Sequence, residues 1–161
     1  MNFTYRTFRR IVLLPLLLLA SQTPPLFGQV AVLSSFEGIA VATGDRTDTS
    51  RLTDLGVVSV EGASAFVVTL AGELRGRADR DGVIGLLLVP ELPFFTSLYR
   101  NRKLVLSAAE FTAPVTAGTS SYFMSPSKHA EAEFPAYHLF LFNTTGAPAT
   151  VNVYVYPIRR N

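Results

Sequence analysis

The stretch 136–157 carries the strongest pattern in the chain: two runs rich in aromatic and β-branched residues, 137–142 and 150–156, separated by a segment of Asn, Thr, Gly and Pro. That arrangement predicts a β-hairpin. Because side chains alternate along a strand, pairing Leu141 with Val153 places the Leu and Val side chains of both strands on one face. The opposite face then carries five rings and one amide, those of His138, Phe140, Phe142, Asn152, Tyr154 and Tyr156.

We predict that this aromatic face is an interaction surface, formed by Phe140, Phe142, Tyr154, Tyr156 and His138. A two-layer sandwich leaves one face of each sheet in water, and clustered rings there make an apolar patch large enough to mark an interaction site. The alternative is that the rings form the core while a loop such as 112–127 covers the aliphatic face, because large aromatic side chains are usually buried.

The N-terminal segment has the composition of a secretory signal peptide. Its first ten residues contain three arginines and no acid, and 11–20 is an apolar run interrupted only by Pro15. We predict a signal peptide over residues 1–28, cleaved after Gly28, with Ala20 as another possible cleavage site. A bilayer core of about 30 Å needs about twenty apolar residues as a helix, so we expect no stable membrane anchor after cleavage. The predicted location is secreted: periplasmic, cell-surface or extracellular.

Removing the signal changes the charge balance of the chain. The signal holds three of the 14 basic residues and none of the 12 acidic ones, which leaves 11 against 12 and a formal net charge of −1. No Lys/Arg cluster remains that could follow a phosphate backbone, so we do not expect nucleic acid as a partner. The sequence has no cysteine, which excludes disulfides and thiolate zinc sites. The full sequence is 48% apolar, and residues 29–161 suffice for one domain with a hydrophobic core.

Short apolar runs separated by turn residues, without helical periodicity, predict an all-β domain. The predicted strands are 30–33, 38–42, 55–61, 65–74, 83–89, 97–99, 104–111, 137–142 and 150–156. Such a set fits a two-sheet antiparallel sandwich, and both an immunoglobulin-like and a jelly-roll topology remain open. The run 83–89 is apolar on both faces and should be a central strand. The stretch 112–127 is predicted to be a loop.

The sequence around Asp79, Asp81 and Gly82 resembles the middle of a calcium-binding loop of the EF-hand kind, where acids alternate before a glycine. Arg77 and Leu88 stand where the first and last ligands would be needed. We therefore favour a hairpin turn on Asp81 and Gly82 over a calcium site.

A second candidate metal site lies at 128–134, where His129, Glu131 and Glu133 share one face if the chain is extended and His138 follows nearby. Two imidazoles and two carboxylates could hold zinc. The same alternation with alanine and phenylalanine is typical of a solvent-facing edge strand, which we favour. We expect neither a metal nor another cofactor.

Asn143, Thr144 and Thr145 match the acceptor pattern for N-glycosylation. The same residue types are good turn formers, and we favour the turn.

Catalytic motifs are absent from the sequence. There is no Gly-x-Ser-x-Gly element, and only two histidines are available as general bases. Glu110, Glu131 or Glu133 could approach one another as a carboxylate pair, but no motif supports a glycosidase. We therefore do not expect an enzyme.

The apolar strand 137–142, the Asn-Thr turn with Gly and Pro, and the Val-rich strand 150–156 together resemble the closing hairpins of immunoglobulin-like β-sandwiches in secreted bacterial surface proteins. The resemblance implies a non-catalytic module for adhesion, structure or ligand display, and it carries no functional residues across. The cysteine pair and core tryptophan of antibody domains are absent from this sequence.

From these observations we expect a structural or adhesive domain that associates with itself or with a protein partner through its sheet surfaces. The alternative is a carbohydrate-binding domain, with exposed rings that stack on sugars: Tyr99, Tyr122, Tyr154 and Tyr156. A small secreted hydrolase is the weakest alternative.

Overall fold

A computed structural model describes residues 34–95, 107–119 and 121–159. The predicted signal peptide 1–28, the predicted strands 30–33 and 97–99, and Tyr99 lie outside these ranges. The described strands are β1 (Ser34–Val41), β2 (Thr53–Ser59), β3 (Ala65–Leu74), β4 (Gly82–Pro90), β5 (Ala109–Val115), β6 (Tyr122–Met124), β7 (Lys128–Glu131), β8 (Ala136–Asn143) and β9 (Ala149–Ile158). A 3-10 turn, Thr49–Arg51, precedes β2.

The strands form two antiparallel sheets that pack face to face, as predicted. Sheet A has the order β1, β9, β3, and the far edge of β3 pairs with both β6 and β7. Sheet B has the order β2, β8, β4, β5. Strand β4, which spans the predicted run 83–89, is central in sheet B, as its apolar residues on both faces require.

The pairing of strands is nested, first with last. Strand β1 pairs with β9, β2 with β8, β3 with β6 and β7, and β4 with β5. This is the connectivity of a jelly roll, in which an antiparallel ribbon folds over into two sheets. The order differs from the immunoglobulin arrangement of ABED and CFG sheets.

Alternating side chains of both sheets fill the space between them. Phe66, Val68 and Leu70 of β3 are all buried in this core, as their spacing predicts. Sheet B contributes Leu86, Leu139 and Leu141 among others. Each such side chain stabilises the fold by about 1.5–3 kcal/mol relative to exposure.

Strands β8 and β9 do not form the predicted hairpin. Leu141 pairs with Thr53 and Leu86 in sheet B, whereas Val153 pairs with Phe36 and Leu70 in sheet A. The aliphatic face was predicted correctly, since Leu139, Leu141, Val153 and Val155 all lie in the core. They meet across the gap between the sheets and not along a ladder, because the connection after β8 crosses from one sheet to the other.

A buried polar turn makes that crossing. The Asn143 side chain donates to the carbonyl of Ala147 at 2.8 Å and accepts from the backbone N–H of Thr145 at 3.0 Å and its hydroxyl at 2.8 Å. Asn143 is 1% exposed and Thr145 is 0% exposed. The turn interpretation of this motif is therefore confirmed, and the Asn143 amide is buried in the folded protein.

The connection from β3 to β4 also crosses between the sheets, so the predicted hairpin turn on Asp81 and Gly82 is wrong. Asp81 instead accepts a hydrogen bond from the backbone N–H of Ala117 at 2.7 Å and joins two loops at this end of the sandwich. Gly82 begins β4 close to Thr144, whose backbone a Cβ would meet at 2.8 Å.

The region predicted as a loop, 112–127, contains the end of β5 and all of β6. Among the described strands, β5 lies at the edge of sheet B, where Pro114 is tolerated. Strands β6 and β7 form one interrupted edge, and Ser125 bridges the interruption: its hydroxyl accepts from the N–H of Leu70 at 2.9 Å, and its own N–H donates to the Leu70 carbonyl at 2.7 Å. Strand β7 confirms the edge-strand interpretation of residues 128–131.

The outer face of sheet B carries a second apolar cluster of Leu87, Val89, Phe140 and Phe142. Leu52 and Phe95 pack against it from outside the sheet. Gly85 pairs with Phe142, and a Cβ at Gly85 would overlap the Phe142 ring, so the glycine lets that ring lie across β4. Among the described residues, no helix is long and apolar enough to cross a membrane.

Candidate functional site

The predicted aromatic surface does not form as one face. Phe140 and Phe142 lie on the outer side of sheet B, where they are 0% and 1% exposed. Tyr154 and Tyr156 lie on the outer side of sheet A, at the opposite side of the sandwich. The single four-ring patch is therefore wrong, because its two strands belong to different sheets.

His138 lies beside the buried rings of sheet B and bridges two carboxylates. Its Nε2 is 2.6 Å from Oδ1 of Asp54, and its Nδ1 is 3.4 Å from Oε2 of Glu91. The imidazole stacks on Phe140 with a centroid distance of 4.5 Å and an interplanar angle of 11°. These contacts tie β8 to β2 and to the residue that follows β4.

The candidate metal ligands are dispersed. Asp79 and Asp81 lie in the β3–β4 connection, while His129 and Glu131 lie on the edge strand β7, and Glu133 follows it. His138 lies in the other sheet. Within residues 34–95, 107–119 and 121–159, no three His, Asp or Glu side chains are grouped so that they could hold a metal ion.

The strongest candidate binding site is a groove on the outer face of sheet A. The strand register sets two rows of side chains across β6, β3 and β9: Tyr122, Glu73 and Thr150 in one row, and Met124, Ala71 and Asn152 in the next. Together with Gly72 and Phe123 these residues line a groove of about 590 Å³.

Small residues make the floor of this groove and large exposed ones make its wall. Ala71 lies between Met124 and Asn152, so the surface dips there. Tyr122 is 80% exposed and Met124 is 71% exposed, both on the short edge strand β6. Gly72 permits the close packing beneath, because a Cβ there would reach the Phe123 ring at 2.8 Å and overlap the carbonyl of Thr150.

The polar wall of the groove is held in place. A bulge in β1 turns the N–H of Gly38 toward Asn152, whose Oδ1 accepts it at 2.7 Å. The Asn152 amide nitrogen is thereby fixed in orientation as a donor. On the other row, the hydroxyl of Thr150 accepts from Nε of Arg75 at 2.7 Å. The groove thus combines an exposed ring and a thioether with an oriented amide, a hydroxyl and the carboxylate of Glu73.

Two more rings continue the same face. Tyr154 and Tyr156 are half-buried and stack with a centroid distance of 6.5 Å and an interplanar angle of 25°. Burial raises the pKa of the Tyr154 phenol above its usual value, and the nearby carboxylate of Glu37 raises it further. The phenol therefore remains a neutral hydrogen-bond donor at physiological pH.

Sequence reasoning named Tyr122, Tyr154 and Tyr156 as stacking candidates but gave no binding role to Glu73, Met124, Thr150 or Asn152. Only the register of β6, β3 and β9 brings these four residues together, and that register joins strands far apart in the chain. One local signal was present in the sequence: Tyr122 and Met124 lie on either side of Phe123, and such an alternation of large side chains between the two faces is typical of a strand.

Comparison with protein-family models gives no matching family, and comparison with curated proteins gives no match.

Proposed function

We propose that the protein is a secreted, non-catalytic, adhesive β-sandwich domain that binds its target through the outer face of sheet A, and that the target is a glycan. One observation carries the proposal. Tyr122, 80% exposed, stands at the wall of a groove of about 590 Å³ whose other side presents Glu73, Thr150 and Asn152.

The chemistry of this groove fits a sugar ring. A pyranose has an apolar C–H face that can lie on an aromatic ring, and its rim of hydroxyl groups needs both donors and acceptors. Tyr122 and Met124 supply the apolar contact, while Asn152 donates and Glu73 accepts. The groove volume falls within the range of small-molecule sites, roughly 300–1,000 Å³.

Two further features support a role in binding outside the cell. The predicted signal peptide 1–28 directs the chain to secretion, where glycans are abundant targets. Jelly-roll domains include lectins, although a fold by itself does not determine function.

The proposal is tested on a glycan array, followed by calorimetry with the best ligand. Tyr122→Ala should weaken binding by about 1–2 kcal/mol, roughly 5- to 30-fold, with little change in stability because the ring is exposed. Phe94→Ala is the matched control, since it removes a ring that is 66% exposed and does not line the groove. Absence of binding to any glycan, or equal effects of the two variants, would refute the proposal.

Self-association through the same face is the second candidate. It is favoured by the stacked pair Tyr154 and Tyr156, which lies beside Val67 and Thr69 of β3 on the outer side of sheet A. Sedimentation of the mature chain over a range of concentrations tests it. A dimer that Tyr156→Ser converts to monomer would favour this candidate, and a monomer at all concentrations would exclude it.

A further inference from the structure

A second groove adjoins the proposed sugar site and contains two arginines. It has a volume of about 340 Å³ and is lined by Ala40, Val41, Ala42, Thr43, Arg51, Arg75, Pro148 and Ala149. No acidic residue is among these lining residues. The two grooves meet at one hydrogen bond, because Thr150 lines the first groove and accepts from Nε of Arg75, which lines the second.

Each of the two guanidinium groups makes a hydrogen bond to the protein. Arg75 donates from Nε to the Thr150 hydroxyl at 2.7 Å, and none of the described carboxylates lies within ion-pair distance of it. Arg51 donates from Nη1 to the Thr43 carbonyl at 3.1 Å and lies 3.3 Å from Asp48. Its stem packs against Gly44, where a Cβ would meet the Arg51 Cβ at 2.7 Å.

The positive charge of Arg51 and Arg75 in the second groove, called the arginine groove below, is a local feature of the surface. The chain without residues 1–28 has 11 basic and 12 acidic residues, so no general attraction for anions exists. Glu73 lies in the first groove, which disfavours a negative group there. A ligand that spans both grooves would therefore be uncharged beside Tyr122 and anionic beside Arg75. A guanidinium fork binds a carboxylate through two parallel hydrogen bonds.

We propose that the glycan bound by this domain is acidic, with an uncharged sugar in the groove beside Tyr122 and the carboxylate of a neighbouring sugar bound by Arg75 and Arg51. This inference rests on the proposed glycan-binding function and specifies its ligand class. It commits to a carboxylated glycan because the groove with the two arginines adjoins a groove suited to a sugar ring, and the hydrogen bond from Arg75 to Thr150 links them.

The test uses hyaluronate oligosaccharides, in which a uronic acid alternates with a neutral sugar, and the same oligosaccharides after reduction of the carboxyl groups. We expect the mature protein to bind the acid form at least about tenfold more tightly than the reduced form. Added salt should reduce this preference and leave binding of the reduced form unchanged.

Arginine variants test whether the preference for the acid form depends on the second groove. Arg75→Gln and Arg51→Gln should each lower affinity for the acid form severalfold and leave affinity for the reduced form unchanged. Arg80→Gln is the matched control: it removes the same charge at the same end of the sandwich, but Arg80 donates to the Thr144 carbonyl at 3.0 Å and lines neither groove. An equal effect of Arg80→Gln would show a general charge effect and overturn the inference.

The remaining outcomes separate the two proposals. Equal binding of both forms, or tighter binding of the reduced form, refutes the acidic ligand and leaves glycan binding intact. Failure to bind these or any other glycans refutes both. Competition by polyglutamate as strong as that by the acid oligosaccharide would assign the arginine groove to anionic peptides and overturn the assignment to a glycan.

Discussion

The contact between Gly85 and Phe142 provides a quantitative test of the register of sheet B. The two residues pair directly across β4 and β8, and a Cβ at Gly85 would overlap two atoms of the Phe142 ring and reach a third at 3.0 Å. Gly85→Ala should therefore overpack the cluster and reduce the free energy of unfolding by about 1–3 kcal/mol.

Removing the Phe142 ring should abolish the overpacking cost of Gly85→Ala. Phe142 is 1% exposed, so Phe142→Ala should cost about 3–5 kcal/mol through lost burial and a cavity. In the double variant the methyl group introduced by Gly85→Ala enters space that the ring has left. The overpacking cost then disappears, and the double variant should be about 1–3 kcal/mol more stable than the sum of the single effects predicts.

Urea unfolding of the four proteins measures this coupling. Gly85→Ala combined with Val57→Ala is the control pair, because Val57 is exposed on β2 and pairs with His138, so their effects should add. If Phe142→Ala does not fold, Phe142→Leu serves instead, since it also removes the ring atoms that the new Cβ would meet. Additivity within about 0.5 kcal/mol for Gly85 and Phe142 would refute the register and the packing described above.

Three further predictions concern other parts of the chain. Asn143→Ala should lower the free energy of unfolding by about 1–3 kcal/mol in urea, because Thr145 loses a buried acceptor, and a change under about 0.5 kcal/mol would contradict this. Subtracting the ultraviolet titration of Tyr154→Phe from that of the wild type should give a midpoint above pH 10.0 for Tyr154, because burial and Glu37 raise the pKa of its phenol. Glu37→Gln should lower that midpoint. A wild-type midpoint at or below pH 10.0 would contradict the raised pKa. Since the folded state retains this proton longer than the unfolded chain, stability should fall as pH rises beyond about 10. Mass spectrometry of secreted material should give a chain that begins at or near Gln29, whereas intact residues 1–20 in a membrane fraction would contradict signal cleavage.

Strands could be predicted from the sequence where local pattern determines them. The run 65–74 has alternating apolar residues between turn signals, and β3 has the same bounds. Strand β6 was not predicted, and β7 was predicted only as a solvent-facing edge strand without a partner. Both strands are short, are separated by Pro126, and are stabilised by pairing with the distant edge of β3. Their extended conformation depends on a partner and not on their own composition.

Strand partners could not be predicted from adjacent runs. A strand, a turn and another strand indicate a hairpin when only local pattern is used, and that led to wrong pairings at Asp81 and at 143–150. In both places a side chain makes a hydrogen bond that a hairpin would not provide. Asp81 accepts from the backbone N–H of Ala117, and Asn143 donates to the carbonyl of Ala147 within the turn that crosses between the sheets. The candidate groove depends on the same long-range register, so the sequence indicated Tyr122 as a stacking residue but not the polar residues opposite it.

The nested strand order also constrains the order of events in folding. Strand β9 lies between β1 and β3, so among the described strands β1 has no neighbour in its sheet until β9 is available. Contacts between residues far apart in the chain slow folding, and all-β domains of this kind typically fold over milliseconds to seconds. A chain shortened before residue 149 should therefore remain sensitive to proteases, because both neighbours of β9 would lose their ladder. Delayed folding of this kind is compatible with the export that we predict from residues 1–28.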